Sequence, residues 1–370
     1  MMALLLCGLL LLSPVDGGPT ASEPPSETED ILNAVDLSAW DDLFSRMEGT
    51  EPWQRPSALT RELAEGEDDP GRLLTWLKAV SFQSLSDAVG VCLISLVTGV
   101  LGALLDTLLD QASIPARRVL SIGLASYLLL RLLPLIRRGF ACLRGVMALA
   151  DATVPLMTGA LLLLGSPQGA SAVGTAGELL LHTCLRWMEG SLAPLAVSAG
   201  VLRASDLMGD GVLSALSRVV FALVRWGVRI LCLGYSLVTA LMGAGAAGMD
   251  SLLLRTGRSA AGSLPLVGSL VSDSLGTAIA CLGLVKGALG RTGMLLVTAQ
   301  VAGPAAALLL HGFGLRASSA LLVPLEQREM GSLLHAMGEM LTDLGVLILA
   351  AGAMLCVTVG GPSGLLGGGS

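Results

Sequence analysis

An acid and a base stand inside otherwise apolar, glycine-rich sequence between Pro265 and Gly290. Asp273 follows Ser272 in Pro-Leu-Val-Gly-Ser-Leu-Val-Ser-Asp, and Lys286 lies in Leu-Val-Lys-Gly-Ala-Leu-Gly. A charge at bilayer depth costs about 2.5–3.5 kcal/mol on insertion scales, so such residues face protein or water rather than lipid. Two roles fit Asp273. Behind the turn Pro265-x-x-Gly268 and Ser272 it can cap a half-helix inside the protein. It can equally bind a cation or relay a proton. Lys286 comes thirteen residues later. On one unbroken helix the two side chains would point to nearly opposite faces, whereas a hairpin would bring them together.

A second constellation is Glu178 with His182, at i, i+4 spacing in a moderately apolar helix. That spacing permits a hydrogen bond or two metal ligands. A metal needs at least a third ligand, and His311 and His335 sit in distant segments, so a packed, paired histidine is the favoured reading and no metal is expected. Asp106 and Asp110 share one helix face at the end of the first apolar span. The chain has no phosphate-binding glycine loop, no Ser-His-Asp arrangement and no H-E-x-x-H. The expectation is a protein that is not an enzyme and uses no cofactor.

The elements that must position these residues are membrane elements. The chain of 370 residues is 53% hydrophobic and only 14% charged, outside the range of soluble globular domains. Its 47 glycines follow no triplet period and suit close helix approach in lipid. The net charge of −7 is unevenly placed: residues 19–86 carry fourteen acids against five bases, the rest fifteen against seventeen. The acidic segment excludes nucleic acid as a partner, and the mildly basic remainder fits membrane topology. The seven cysteines all lie in or beside apolar runs without C-x-x-C spacing, which argues for packing rather than disulfides or zinc.

Residues 1–17 read as a signal peptide, with an apolar core broken by Ser13-Pro14. Residues 18–86 form an acidic extracytoplasmic segment: a Pro/Ser/Thr/Glu-rich linker, a capped amphipathic helix from Ser38, and another starting at Asp69-Pro70 with Leu73, Leu74, Leu77 and Val80 on one face. Residues 87–370 form the membrane domain, with six to eight spans expected. The first is Ala88–Leu109. The second, Val119–Ile136, is interrupted by Arg131 and Pro134. From Val154 onward the apolar segments are short and broken by glycine and proline, which predicts helical hairpins enclosed by protein. Pro155, Pro265, Gly268, Gly290 and Pro304 are the candidate hairpin and packing positions. Arg218, Arg225 and Arg229 fall on one helix face, predicting a helix at the membrane surface. A weak internal repeat, about 152–245 and 262–358, pairs Pro155 with Pro265 and Pro194 with Pro304. Broken helices at matching places in two repeats would mark a midplane site. The fold class is therefore all-α: a polytopic helical membrane protein with short or re-entrant broken helices and a small amphipathic helical N-terminal segment.

Pro265, Leu266, Val267, Gly268, Ser269, Ser272 and Asp273, followed by Val285, Lys286, Gly287, Ala288, Leu289 and Gly290, carry a family resemblance. The chain resembles stage III sporulation protein AE, whose pattern has Pro-Val-Val-Gly-Gly, then Ser-Asp, then Leu-Lys-Asn-Ala and a hydrophobic residue before Gly. The likeness extends through Thr256-Gly257-Arg258, Pro304 and Pro324, and covers most of residues 28–360 in order of elements. Ser269 for the second glycine and Gly287 for the asparagine depart from the pattern, which rules out a role needing an asparagine side chain there. The resemblance implies a non-enzymatic component of the channel between mother cell and forespore, as its permease-like or gating part. It also implies a place in the mother-cell membrane and, as partners, the lipid bilayer, ring-forming stage III proteins and an ATPase. Two alternatives stay open: an independent secondary transporter built around Asp273 and Lys286, and a membrane scaffold for channel assembly.

Overall fold

The computed structural model describes residues 70–108, 113–163, 177–206, 212–262, 268–325 and 327–364, with Ser38, Asp41, Asp42, Ser57 and Thr60; side chains of 71–83, 105–108 and 242–289, among others at helix ends, fall outside that description. The described elements are helical. In chain order they are α1 (Pro70–Leu108), α2 (Ser113–Leu163), α3 (Glu178–Trp187), a π-helical turn (Met188–Leu192), α4 (Ala193–Ser205), α5 (Val212–Gly262), α6 (Gly268–Leu322), a 3-10 turn (Val323–Leu325) and α7 (Arg328–Gly364). Among the described residues four stretches are long and apolar enough to cross a membrane: Ser84–Leu104, Val119–Gly159, Gly290–Leu325 and Arg328–Val359. The protein is a multi-pass membrane protein. Apolar outer faces occur as well: Leu93, Val97, Leu101 and Leu104 of the first of these stretches and Leu129, Leu130 and Leu133 of the second are exposed, as are Leu216, Val219, Leu223, Trp226, Ile230 and Leu233 of α5.

α1 starts at Pro70, as the Asp69-Pro70 pair predicts, since the first helical turn has no use for the N–H that proline lacks. It then runs unbroken into the first span, so the amphipathic stretch and the span form one helix. Several prolines expected to break helices do not. α2 continues through Pro134 and Pro155, and α6 continues through Pro304. Each proline removes one backbone bond and frees a carbonyl four residues earlier, a cost that neighbouring groups can offset inside a membrane bundle. At Pro304 the freed carbonyl is that of Gln300, and the thiol of Cys142 on α2 donates to it across 3.4 Å.

A broken helix does occur at Glu178–Ser205. Pro194 cannot donate to a carbonyl four residues back, and the Ala193 N–H beside it reaches instead five residues back to the Met188 carbonyl. The ladder therefore widens into a π turn, and α4 opens with its proline in the first turn.

α7 is the most enclosed of the four spanning stretches and packs against α2, α4, α5 and α6. Its Leu341, Leu344, Leu347, Ile348, Ala351 and Leu355 are buried in one continuous cluster with Leu308 and Leu315 of α6, Leu132 and Leu143 of α2, Ala196 of α4 and Val224 of α5. α6 and α7 form an antiparallel hairpin whose backbones meet at Gly312 and Gly338: a Cβ built on Gly338 would lie 2.7 Å from the Gly312 carbonyl oxygen. In lipid such close approach is a main source of helix association, because burial from water contributes little. The acidic segment touches this bundle. Ser57 donates from its N–H and hydroxyl to the two carboxylate oxygens of Asp41 (3.1 and 2.8 Å), and the hydroxyl of Thr60 donates to that of Thr292 on α6 at 3.1 Å.

Candidate functional site

Two acids one turn apart on α7, Glu339 and Asp343, face a single guanidinium from α5. Arg225 Nε donates to Asp343 Oδ1 at 3.2 Å and Arg225 Nη2 donates to Glu339 Oε1. The Asp343 side chain is only 8% exposed, that of Glu339 19% and that of Arg225 41%. Arg316 of α6 adds a fourth charge, close enough to act on Asp343. The glycine crossing sets it there: a Cβ on Gly338 would meet Arg316 Cγ at 2.9 Å, so the glycine lets the arginine stem cross α7 at the residue before Glu339, just over one turn before Asp343. Thr342 donates to the Gly338 carbonyl at 2.7 Å and closes the same turn.

The quartet sums to zero charge, but its pairing is incomplete. Asp343 Oδ2 and Arg316 Nε are buried without a hydrogen-bond partner. An unmet carboxylate oxygen in a low-dielectric bundle is costly, and groups kept in that state deserve a functional account. Around them α4 and α2 contribute glycines: Gly200 lies against Met340, and Gly139 against Leu344.

The residues singled out by sequence fall elsewhere. Pro265 and the side chains of Ser272, Asp273, Lys286 and Asp106 lie outside the described residues; the backbone from Gly268 through Asp273 and Lys286 belongs to the single helix α6. Gly290 is buried in α6, Pro304 is half-buried within it, and Pro155 is exposed within α2, so neither proline forms a hairpin turn. Glu178 opens α3, half-buried. His182 pairs across the bundle rather than along its own helix: its Nε2 is 3.2 Å from Asp151 Oδ1 on α2. Nearby, Arg144 Nε reaches Glu189 at 3.4 Å in the π turn. Among the described residues no group of three metal-ligating side chains forms. Arg225, read from sequence as part of a surface arginine face, is instead turned toward α7, while Arg218 and Arg229 are exposed. A second polar contact locks α5 to α7 further along, between the Tyr235 hydroxyl and the Thr358 hydroxyl, both buried.

The quartet was missed although its signal was present: Asp343 lies inside the apolar stretch 341–359, where the cost that drew attention to Asp273 applies equally. Comparison with known proteins bears on the whole chain. The sequence model of a family described as stage III sporulation protein AE matches residues 57–360. No curated protein and no solved structure matches.

Proposed function

Because the chain belongs to the stage III sporulation protein AE family and so acts in sporulation, we propose that it is a non-enzymatic membrane part of the channel joining mother cell and forespore, serving as its permease-like or gating component. The observation that supports a gating role over an inert anchor is the charge quartet Arg225, Arg316, Glu339 and Asp343, in which α5 and α6 each bring an arginine to two acids of the most enclosed span. An anchor needs no ionisable group at that depth, whereas intramembrane charges facing a bundle interior mark pathways and moving parts. In this reading the protein lies in the mother-cell membrane with its acidic segment extracytoplasmic. There the segment meets ring-forming stage III proteins, and an ATPase serves the mother-cell side.

Crosslinking of sporulating cells followed by affinity purification of the chain tests the assembly. The expected result is co-purification of other stage III channel proteins; recovery of the chain alone would sink it. Flux of ions or solutes through the purified protein in liposomes, abolished by Arg225→Gln, would favour independent transport instead.

A further inference from the structure

Three features were strong enough to carry a ligand or partner: the outer apolar stripe of α5, the His182–Asp151 and Arg144–Glu189 pairs beside the π turn, and the spare oxygen of Asp343. Nothing in the structure shows what covers the stripe. Both contacts are made as they stand. The third leaves a chemical demand unmet.

We propose that Asp343 Oδ2 is a proton-binding site in the membrane domain, and that its protonation weakens the tie between α5 and α7. The inference rests on the gating reading and specifies what the gate responds to. Asp343 is more than nine-tenths buried, one of its oxygens is committed to Arg225, and the other has no donor. The charged groups facing it are Arg225 from α5, Arg316 from α6 and Glu339 from its own helix; α2 and α4 bring Gly139 and Gly200 to the adjoining residues. A proton is the one cation that a single buried oxygen can hold without further ligands, and no set of three metal-ligating side chains is present among the described residues.

The step balances simply. A hydronium ion transfers its proton to Oδ2, an O–H bond forms, a water molecule leaves, and no electron changes hands. The carboxyl becomes neutral and the quartet moves from zero to one positive charge. Arg225 then keeps its charge-assisted bond to Glu339 and retains only a neutral acceptor at Asp343, roughly halving the strength of that second bond. Protonation also removes the uncompensated negative charge from Oδ2, so the same event that loosens α5 lowers the cost of burying that atom.

Infrared pH titration of the full-length protein in lipid nanodiscs tests this, because protonated carboxyls absorb apart from carboxylates and histidines. The spectrum of the wild type minus that of Asp343→Asn, which cancels the other carboxyls of the chain, should show a carboxyl band that rises as pH falls, and the same subtraction made in a Glu339→Gln background should retain it. Arg316→Gln should move its midpoint to higher pH, because removing a nearby cation favours the neutral acid. An Asp343 held ionised by Arg225 in a purely structural role would give no such difference band at any pH at which the helices stay folded. A flat difference between wild type and Asp343→Asn, or an unmoved midpoint in Arg316→Gln, overturns the proposal. If Asp343→Asn fails to fold, the Arg316→Gln shift decides alone. None of these readouts needs channel partners, so failure here is separate from failure of the assembly experiment.

Discussion

Gly338→Ala adds one methyl group where α6 and α7 come closest, and its cost follows from the geometry. The new Cβ would lie 2.7 Å from the Gly312 carbonyl oxygen, 2.9 Å from Arg316 Cγ and 3.2 Å from Arg316 N, whereas ordinary contact begins at 3.4 Å. Two of the three neighbours are backbone atoms, which cannot turn aside, so the helices must separate by several tenths of an ångström. Overpacking of this kind costs about 1–3 kcal/mol. Alanine also stabilises a helix relative to glycine by roughly 0.8–1 kcal/mol, which would mask part of the loss. Gly123→Ala on α2 removes that ambiguity, because nothing lies within 4 Å of its added Cβ. Both variants gain the propensity term, so their difference isolates the packing cost. Denaturation in mild detergent, followed by circular dichroism across an SDS titration, should place Gly338→Ala about 1–3 kcal/mol below Gly123→Ala. Equal stability of the two would refute the close crossing and, with it, the placement of Arg316 over α7.

Arg225→Gln leaves two acids facing each other without their shared cation. Breaking a fully buried pair costs about 3–5 kcal/mol; with Arg225 41% exposed, about 1–3 kcal/mol is expected in the same titration, with partial recovery in Arg225→Lys. Tyr235→Phe removes the hydroxyl that meets Thr358 and should cost about 1 kcal/mol, the net worth of one hydrogen bond; Thr358 keeps its bond to the Met354 carbonyl, so a loss several times larger would contradict this account. The acidic segment should be tied to the bundle: Thr60→Cys with Thr292→Cys is expected to form an intramolecular disulfide under mild oxidation, read as a mobility shift that either single variant lacks. No such crosslink would mean that the segment does not rest on α6.

Helix type, the start of α1 at Pro70 and the membrane class were legible because hydropathy and the Asp69-Pro70 signal are local. The fate of the prolines was not. Pro304 is tolerated because Cys142, 158 positions from Gln300, donates to the Gln300 carbonyl that the proline frees, and no pattern around residue 304 reveals that thiol. Pro194 does alter its helix, yet by widening one turn rather than reversing the chain. His182 has Glu178 as its obvious partner by spacing, but the bundle offers Asp151 instead. The quartet needs three helices brought together: Arg225 and Asp343 are 118 positions apart, and only the crossing of two glycines on α6 and α7 brings Arg316 beside them. Asp343 itself was readable as an anomaly in apolar sequence, while its partners were not.

The central claim is that the quartet, besides tying α5 to α7, governs an assembled channel. Replacing the native protein by Asp343→Asn in sporulating cells, and measuring in the same culture its crosslinks to other stage III proteins and late gene expression in the forespore, addresses that claim directly. The account predicts normal abundance and crosslinks with forespore expression strongly reduced; loss of crosslinks and abundance together, or expression equal to wild type, would contradict it.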